Sequence, residues 1–296
     1  MNKLDKIIFG DNQFFGINHM SQEKAQQLTE KFHDINNIYK VYDIAYNNGI
    51  KSFFLNSNDR AIEICNHFKE NRDKYPDISF YASIPYPYKY ANMVAEKGIM
   101  SSMNDILFKG NTIGGAMGMI VKGGMSVVSK DAIKLMQILI DMEMKMFKGL
   151  DVKVIYLQNI ISDLVLGYDI KEIFVEYVDY IKKKYNAIPG LITQNLPQTL
   201  NKMNEWGIKE MTICFSFNKI GYLMSPDVES YLKVIEDNNP NNYQLMAMST
   251  LASGAVNPNE AYRFLNNKNI QSVVFGASSE NHISETKKLV DNIILR

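Results

Sequence analysis

Apolar residues fall into two alternating patterns along this chain. Short continuous runs at 6–9, 52–56, 79–84, 152–157, 190–193, 211–216, 244–248 and 272–275 read as buried strands. Between them the apolar positions recur at three- and four-residue steps, as in Ile38, Val41, Tyr42 and Ala45 or Ile173, Phe174, Tyr177 and Val178, which is the stripe of an amphipathic helix. A last helical pattern covers 283–295. Strand followed by helix, repeated through eight strands, predicts an α/β fold of the (β/α)8 TIM barrel type.

The punctuation agrees. Asn48-Gly49-Ile50 and Trp206-Gly207-Ile208 each set a glycine just after a helix, where a left-handed cap is wanted. A doubly wound open sheet would carry Gly-x-Gly-x-x-Gly after its first strand, and Phe9-Gly-Asp-Asn-Gln-Phe-Phe-Gly lacks that spacing. One unit is oversized: residues 85–151 separate the third strand from the fourth. The expectation is a single barrel over 1–296 with a helical insertion after strand 3, spanning 90–150 and acting as a lid over the catalytic face. Its glycine run, from Gly114 to Gly124, lacks the Gly-Lys-Ser/Thr ending of a phosphate-binding P-loop.

Composition narrows the partners. With 46% hydrophobic residues in 296 there is ample material for one large core. Thirty-two basic residues balance thirty-two acidic ones, so neither nucleic acid nor a membrane surface is favoured electrostatically, and a small-molecule substrate is expected. Oligomeric state is not legible in the sequence. Cys65 and Cys214 stand far apart without metal-type spacing, so no metal is expected, and with no secretory pattern at the start the expected location is cytoplasmic.

In such a barrel the chemistry sits on the loops after each strand. Collecting them gives Asp11, Asn12, Gln13 and His19; Asn56, Asn58, Asp59 and Arg60; Tyr86, Tyr88, Lys89 and Tyr90; Gln158 and Asn159; Gln194 and Asn195; Asn218 and Lys219; Ser249 and Ser253; and Ser278, Ser279 and His282. Asn and Gln are poor acids and bases but donate and accept hydrogen bonds, which suits a polar ligand rich in oxygen. Asp11, Asn12 and His19 are the candidates for holding the substrate. Asp59-Arg60 reads as a cap for the following helix, His67 as a surface residue, and Cys214 as a small buried hydrophobe.

The segments Gly190-Leu-Ile-Thr-Gln-Asn195, Cys214-Phe-Ser-Phe-Asn-Lys219, Met246 to Pro258 and Ser272-Val-Val-Phe-Gly-Ala-Ser-Ser279 resemble strands five to eight of an aldo-keto reductase barrel. The resemblance implies a nicotinamide cofactor, NADP or NAD, and an oxidoreductase acting on a carbonyl or alcohol of a small, polar, sugar-like substrate. It casts Thr193, Gln194, Asn195 and Ser216 or Asn218 as holders of the nicotinamide, and Ser249, Ser253, Gly276, Ser278 and Ser279 as the phosphate grip. The usual catalytic tetrad is largely replaced. Asn56 stands where the family has Asp, no Tyr follows it, Gln158 stands where the family has His, and Lys89 alone is near its matching place. Tyr86 and Tyr88 are the candidate substitutes for the proton donor. A second reading makes Lys219, flanked by Phe215, Phe217 and Ile220, a desolvated Schiff-base lysine of an aldolase or lyase. A third keeps the barrel as an inactive ligand binder.

Overall fold

The computed structural model describes residues 3–15, 22–86 and 130–296. Eight parallel strands pair in chain order and close on themselves. They are β1 (Ile7–Phe9), β2 (Ser52–Asn56), β3 (Ser79–Ile84), β4 (Val152–Leu157), β5 (Ile188–Thr193), β6 (Met211–Ser216), β7 (Tyr243–Met248) and β8 (Ser272–Phe275), with Ile7, Ile8 and Phe9 in register with Val273, Val274 and Phe275 at the closure. The fold is therefore the (β/α)8 barrel that the hydrophobic pattern predicts. Strand β5 begins before the predicted 190 because Pro189 reads as a strand breaker, yet here it pairs with Ile155.

Ten α-helices are described: α1 (Gln22–Lys31), α2 (Ile35–Asn47), α3 (Ala61–Glu70), α4 (Lys130–Met144), α5 (Asn159–Gly167), α6 (Lys171–Tyr180), α7 (Leu196–Trp206), α8 (Val228–Glu236), α9 (Pro258–Leu265) and α10 (Glu280–Asn292). Their ends are chemically marked. Asp34, Asn195, Asp227, Asn257 and Ser279 each cap a helix by accepting a first-turn N–H. Gly207 closes α7 at φ +70°, and Gly49 follows the end of α2 at φ +81°, as their sequence positions suggest. Arg60 precedes α3 without capping it; its guanidinium instead donates to the Phe32 carbonyl at 2.5 Å. No described helix is long and apolar enough to cross a membrane. Most of the predicted insertion, including its glycine run, lies outside the described residues, so its lid role is an expectation only.

Strand side chains point alternately to the barrel axis and to the helices. The axis is filled by Ile8, Phe54, Tyr81, Val154, Tyr156, Ile192, Cys214 and Met246, with Val274 and Met248 against them. Tyr156 occupies the space left by Gly190, where an added Cβ would lie 2.4 Å from the ring, and its hydroxyl meets Thr212 Oγ1 at 3.1 Å. Burial of Cys214 raises its thiol pKa, which suits the apolar role expected of it. The N-terminal end of the barrel is closed by Leu4 and Asp5. The Leu4 N–H donates to Gln244 at 2.8 Å, while Asp5 accepts Lys153 Nζ at 2.7 Å and the Tyr81 hydroxyl at 2.8 Å. Burial works against the Asp5 carboxylate, but Lys153 beside it holds its pKa below the ordinary value.

Candidate active site

Two residues beyond each axial side chain, alternation places a ring at the C-terminal mouth: Gly10, Asn56, Ser83, Gln158, Gln194, Ser216, Met248 and Gly276. Three of its members form one hydrogen-bonded unit. Gln158 Nε2 donates to Asn56 Oδ1 and to Ser83 Oγ, both at 2.6 Å, so the ends of β2, β3 and β4 are joined across the mouth. Asn56 in turn donates to Asp11, through its backbone N–H to Oδ2 at 2.8 Å and through Nδ2 to Oδ1 at 2.6 Å. Asn58 Nδ2 adds a longer contact to Asp11 at 3.5 Å, and Asn56 Nδ2 also reaches Asn12 Oδ1 at 3.4 Å.

Asp11 is the chemically unusual member. It is 1% exposed, and its hydrogen-bond partners among the described residues are amides, not cations; beside it stands Tyr42, packed 6.1 Å from Phe9 and 5.1 Å from Phe14 between ring centroids. Burial outweighs the amide donors and pushes its pKa up to about 7. The carboxyl therefore exchanges its proton near neutrality, the range in which a general acid or base is most useful. The Tyr42 hydroxyl is buried with no hydrogen-bond partner among the described residues, and burial and then the charge of Asp11 raise its pKa.

On the opposite side Thr193 faces the helices. Its hydroxyl donates to Asp163 Oδ1 of α5 at 2.5 Å, and the Gln194 N–H donates to Asp163 Oδ2 at 3.0 Å. Burial raises the pKa of Asp163, against the pull of these two donors. The sequence reading passed over Asp163 because it lies inside a helix, away from the strand end. The signal for it is a carboxylate next to Ser162 in the largely apolar run Ile160 to Leu166.

Several residues cast as cofactor holders are engaged within the protein. Asn195 caps α7, accepting the Gln198 N–H at 3.2 Å. Asn218 pins the loop after β6, donating to the Tyr222 carbonyl at 2.8 Å and accepting the Tyr222 N–H at 2.8 Å. Ser216 donates to Ser249 at 3.3 Å, Ser253 donates to the Tyr222 hydroxyl at 3.4 Å, and Ser279 accepts the His282 N–H at 3.4 Å. Lys219 is far from the desolvated amine of the Schiff-base reading: it is exposed and ion-paired with Glu260 at 2.8 Å. His67 is no simple surface residue either, since it stacks on Tyr39 with centroids 3.8 Å apart. Tyr86 is partly buried and its N–H donates to Ser57 Oγ at 3.0 Å, while His19, Tyr88 and Lys89 lie outside the described residues.

Some polar groups remain uncommitted among the described residues. The Gln194 side-chain amide and the Ser278 hydroxyl have no partner. Gln13 Oε1 is buried without one, folded over Gly276 while Nε2 donates to the Gly10 carbonyl at 2.7 Å. The first N–H groups of α10, those of Glu280 and Asn281, have no internal acceptor by helix geometry. No group of three or more described His, Cys, Asp or Glu residues is placed to hold a metal ion.

No protein-family model matches the chain, and no curated protein matches its sequence. Solved structures do. A protein assigned as an aldo-keto reductase from Pseudomonas aeruginosa superposes with a TM-score of 0.60 at 10% identity, over 96% of this chain and 88% of that one. An aldo-keto reductase from Bacillus halodurans gives 0.52 at 10% identity, over 98% and 88%. One from Bombyx mori, in complex with NADP, gives 0.51 at 10% identity, over 99% and 86%. The likeness lies in the barrel, which this chain shares with aldo-keto reductases over nearly its whole length.

Proposed function

We propose that the protein is an oxidoreductase that interconverts a carbonyl and an alcohol on a small polar substrate, with Asp11 as the group that gives or takes the proton. The observation that carries this is the buried Asp11 carboxyl, with a pKa near 7, hydrogen-bonded into the amide network of a barrel mouth. The fold likeness to aldo-keto reductases, one of them named in complex with NADP, supports a nicotinamide cofactor. The uncommitted groups fit one: Gln194 and the orphaned Gln13 Oε1 suit a carboxamide, and Ser278 with the start of α10 suits a phosphate. The chemistry such a nucleotide supplies is hydride donation or acceptance.

The rest is work for the chain's own residues. Reduction adds a hydride to the carbonyl carbon and a proton to its oxygen. Protonated Asp11 delivers that proton, and the resulting carboxylate is held by the Asn56 N–H and Nδ2. Asn56 is itself fixed by Gln158, whose donors leave Asn56 no freedom to flip. In the oxidising direction the carboxylate takes the proton back. Asp11 thus replaces the tyrosine of the usual tetrad, and the exposed Lys219 gives the lyase reading no support.

The test is carbonyl reduction with NADPH and NADH against simple aldoses and their phosphates. Reduction is expected to fall as pH rises through about 7, and Asp11→Asn is expected to lower kcat by roughly a hundredfold or more and flatten that limb. A variant that keeps wild-type turnover and pH profile would exclude Asp11 as the proton carrier.

A further inference from the structure

The face of the barrel opposite the mouth holds a cavity of about 570 Å³ beneath the N-terminal ends of β4 and β5, a volume that suits a small ligand. Its walls are fixed. On one side runs the turn from Lys145 to Asp151, where Lys69 Nζ donates to the Met146 carbonyl at 2.7 Å and Arg72 Nη2 to the Gly149 carbonyl at 2.8 Å, while the Asp151 carbonyl accepts the Phe80 N–H at 2.7 Å. On the other side a π-helical turn, Ile181–Tyr185, ends α6, a form that recurs at functional sites. It brings Lys184 and Tyr185 to Asp141 of α4: Lys184 Nζ donates to Oδ2 at 2.5 Å, and the Tyr185 and Tyr180 hydroxyls donate to Oδ1 at 2.6 and 2.7 Å. Between the walls Met144, Phe147, Leu150 and Val152 supply apolar surface.

Two lysines of this lining have no counter-charge. Lys145 opens a 3-10 turn that the Lys148 N–H closes on the Lys145 carbonyl at 3.2 Å, and side chains three apart on such a turn eclipse. Both ammonium groups therefore leave the turn on one side, both line the cavity, and neither is ion-paired among the described residues. Like charges held together repel unless an anion lies between them. Asp141 does not serve, since three donors already occupy it, and Asp151 is the one other carboxylate of the lining. We infer that the cavity binds a small organic carboxylate, its two oxygens between Lys145 and Lys148 and its apolar body against Phe147, Leu150, Val152 and the Tyr185 ring. Asp151 repels further negative charge, which favours a monoanion over a phosphate ester. The site lies at the other end of β4 and β5 from the mouth and does not rest on the redox reading.

The test is isothermal titration calorimetry with 4-phenylbutyrate, its neutral counterpart 4-phenylbutanol, and acetate. Wild type is expected to bind 4-phenylbutyrate saturably and the other two about tenfold more weakly or worse. The variant Lys145→Gln/Lys148→Gln changes two exposed side chains, so it is expected to keep the wild-type unfolding midpoint and to lose about tenfold in affinity for 4-phenylbutyrate. Asp151→Asn removes a like charge and is expected to tighten binding about twofold. Asp11→Asn, at the mouth, is expected to leave the affinity unchanged. No saturable binding by wild type, an affinity unchanged in the lysine variant, or a loss in Asp151→Asn overturns the site, and a tenfold loss in Asp11→Asn places the ligand at the mouth instead. Equal affinity for 4-phenylbutanol overturns the lysine pair as an anion holder, and equal affinity for acetate overturns the apolar wall.

Discussion

Asp11 costs the fold something that its chemistry requires. In the unfolded chain it ionises around the ordinary 3.8, whereas the folded protein holds the proton to about 7. Between these values the folded state binds more protons, so stability is lost as pH rises through the window, by at most about 1.4 kcal/mol per pH unit. Asp11→Asn removes this dependence: relative to wild type it should gain stability from about pH 4 to about pH 8 in urea unfolding series, and a constant difference across that range would mean the carboxyl titrates normally. A second residue-scale prediction concerns packing. Gly190→Ala sets a methyl against the Tyr156 ring at the barrel axis and should cost about 1–3 kcal/mol of unfolding free energy, because a filled core cannot absorb the added carbon. Asp11 was visible in the sequence as a polar residue after the first strand. Its acidity was not, because the burial that creates it is produced by distant segments, Tyr42 and Asn56 among them. Asp163 was hidden for the same reason: its partners Thr193 and Gln194 are 30 and 31 residues away.

At the scale of elements the strands were legible nearly to the residue, since each is buried on both faces and writes a continuous apolar run. Loops gave up less. Their polar residues look alike in sequence, and only the folded loop tells which are spent internally. Asn218 and Asn195 show this: both read as ligand holders, and both are bound to backbone, one across a turn and one at a helix start. Lys219 belongs to the same lesson. Its pairing with Glu260 joins the loop after β6 to α9 at the surface, where such pairs are worth little. Lys219→Met should leave carbonyl turnover unchanged and alter stability by no more than about 0.5 kcal/mol, and borohydride with a carbonyl substrate should trap no adduct on the wild type. A trapped adduct at Lys219 would revive the lyase.

For the molecule as a whole, pairing in chain order makes every strand contact its sequence neighbour, and among these strand pairs the β1–β8 seam is the one that joins the two ends of the chain. That seam is also where the mouth ring carries Gly10 and Gly276 in place of side chains, and Gln13 takes the space over Gly276 while the amide network crowds β2 to β4. The far end is stoppered by Leu4 and by Asp5 with its lysine and tyrosine. With that end closed, the proposed cofactor and substrate would have to share one entrance, and the one lying deeper would enter first and leave last, an order that product-inhibition kinetics would check.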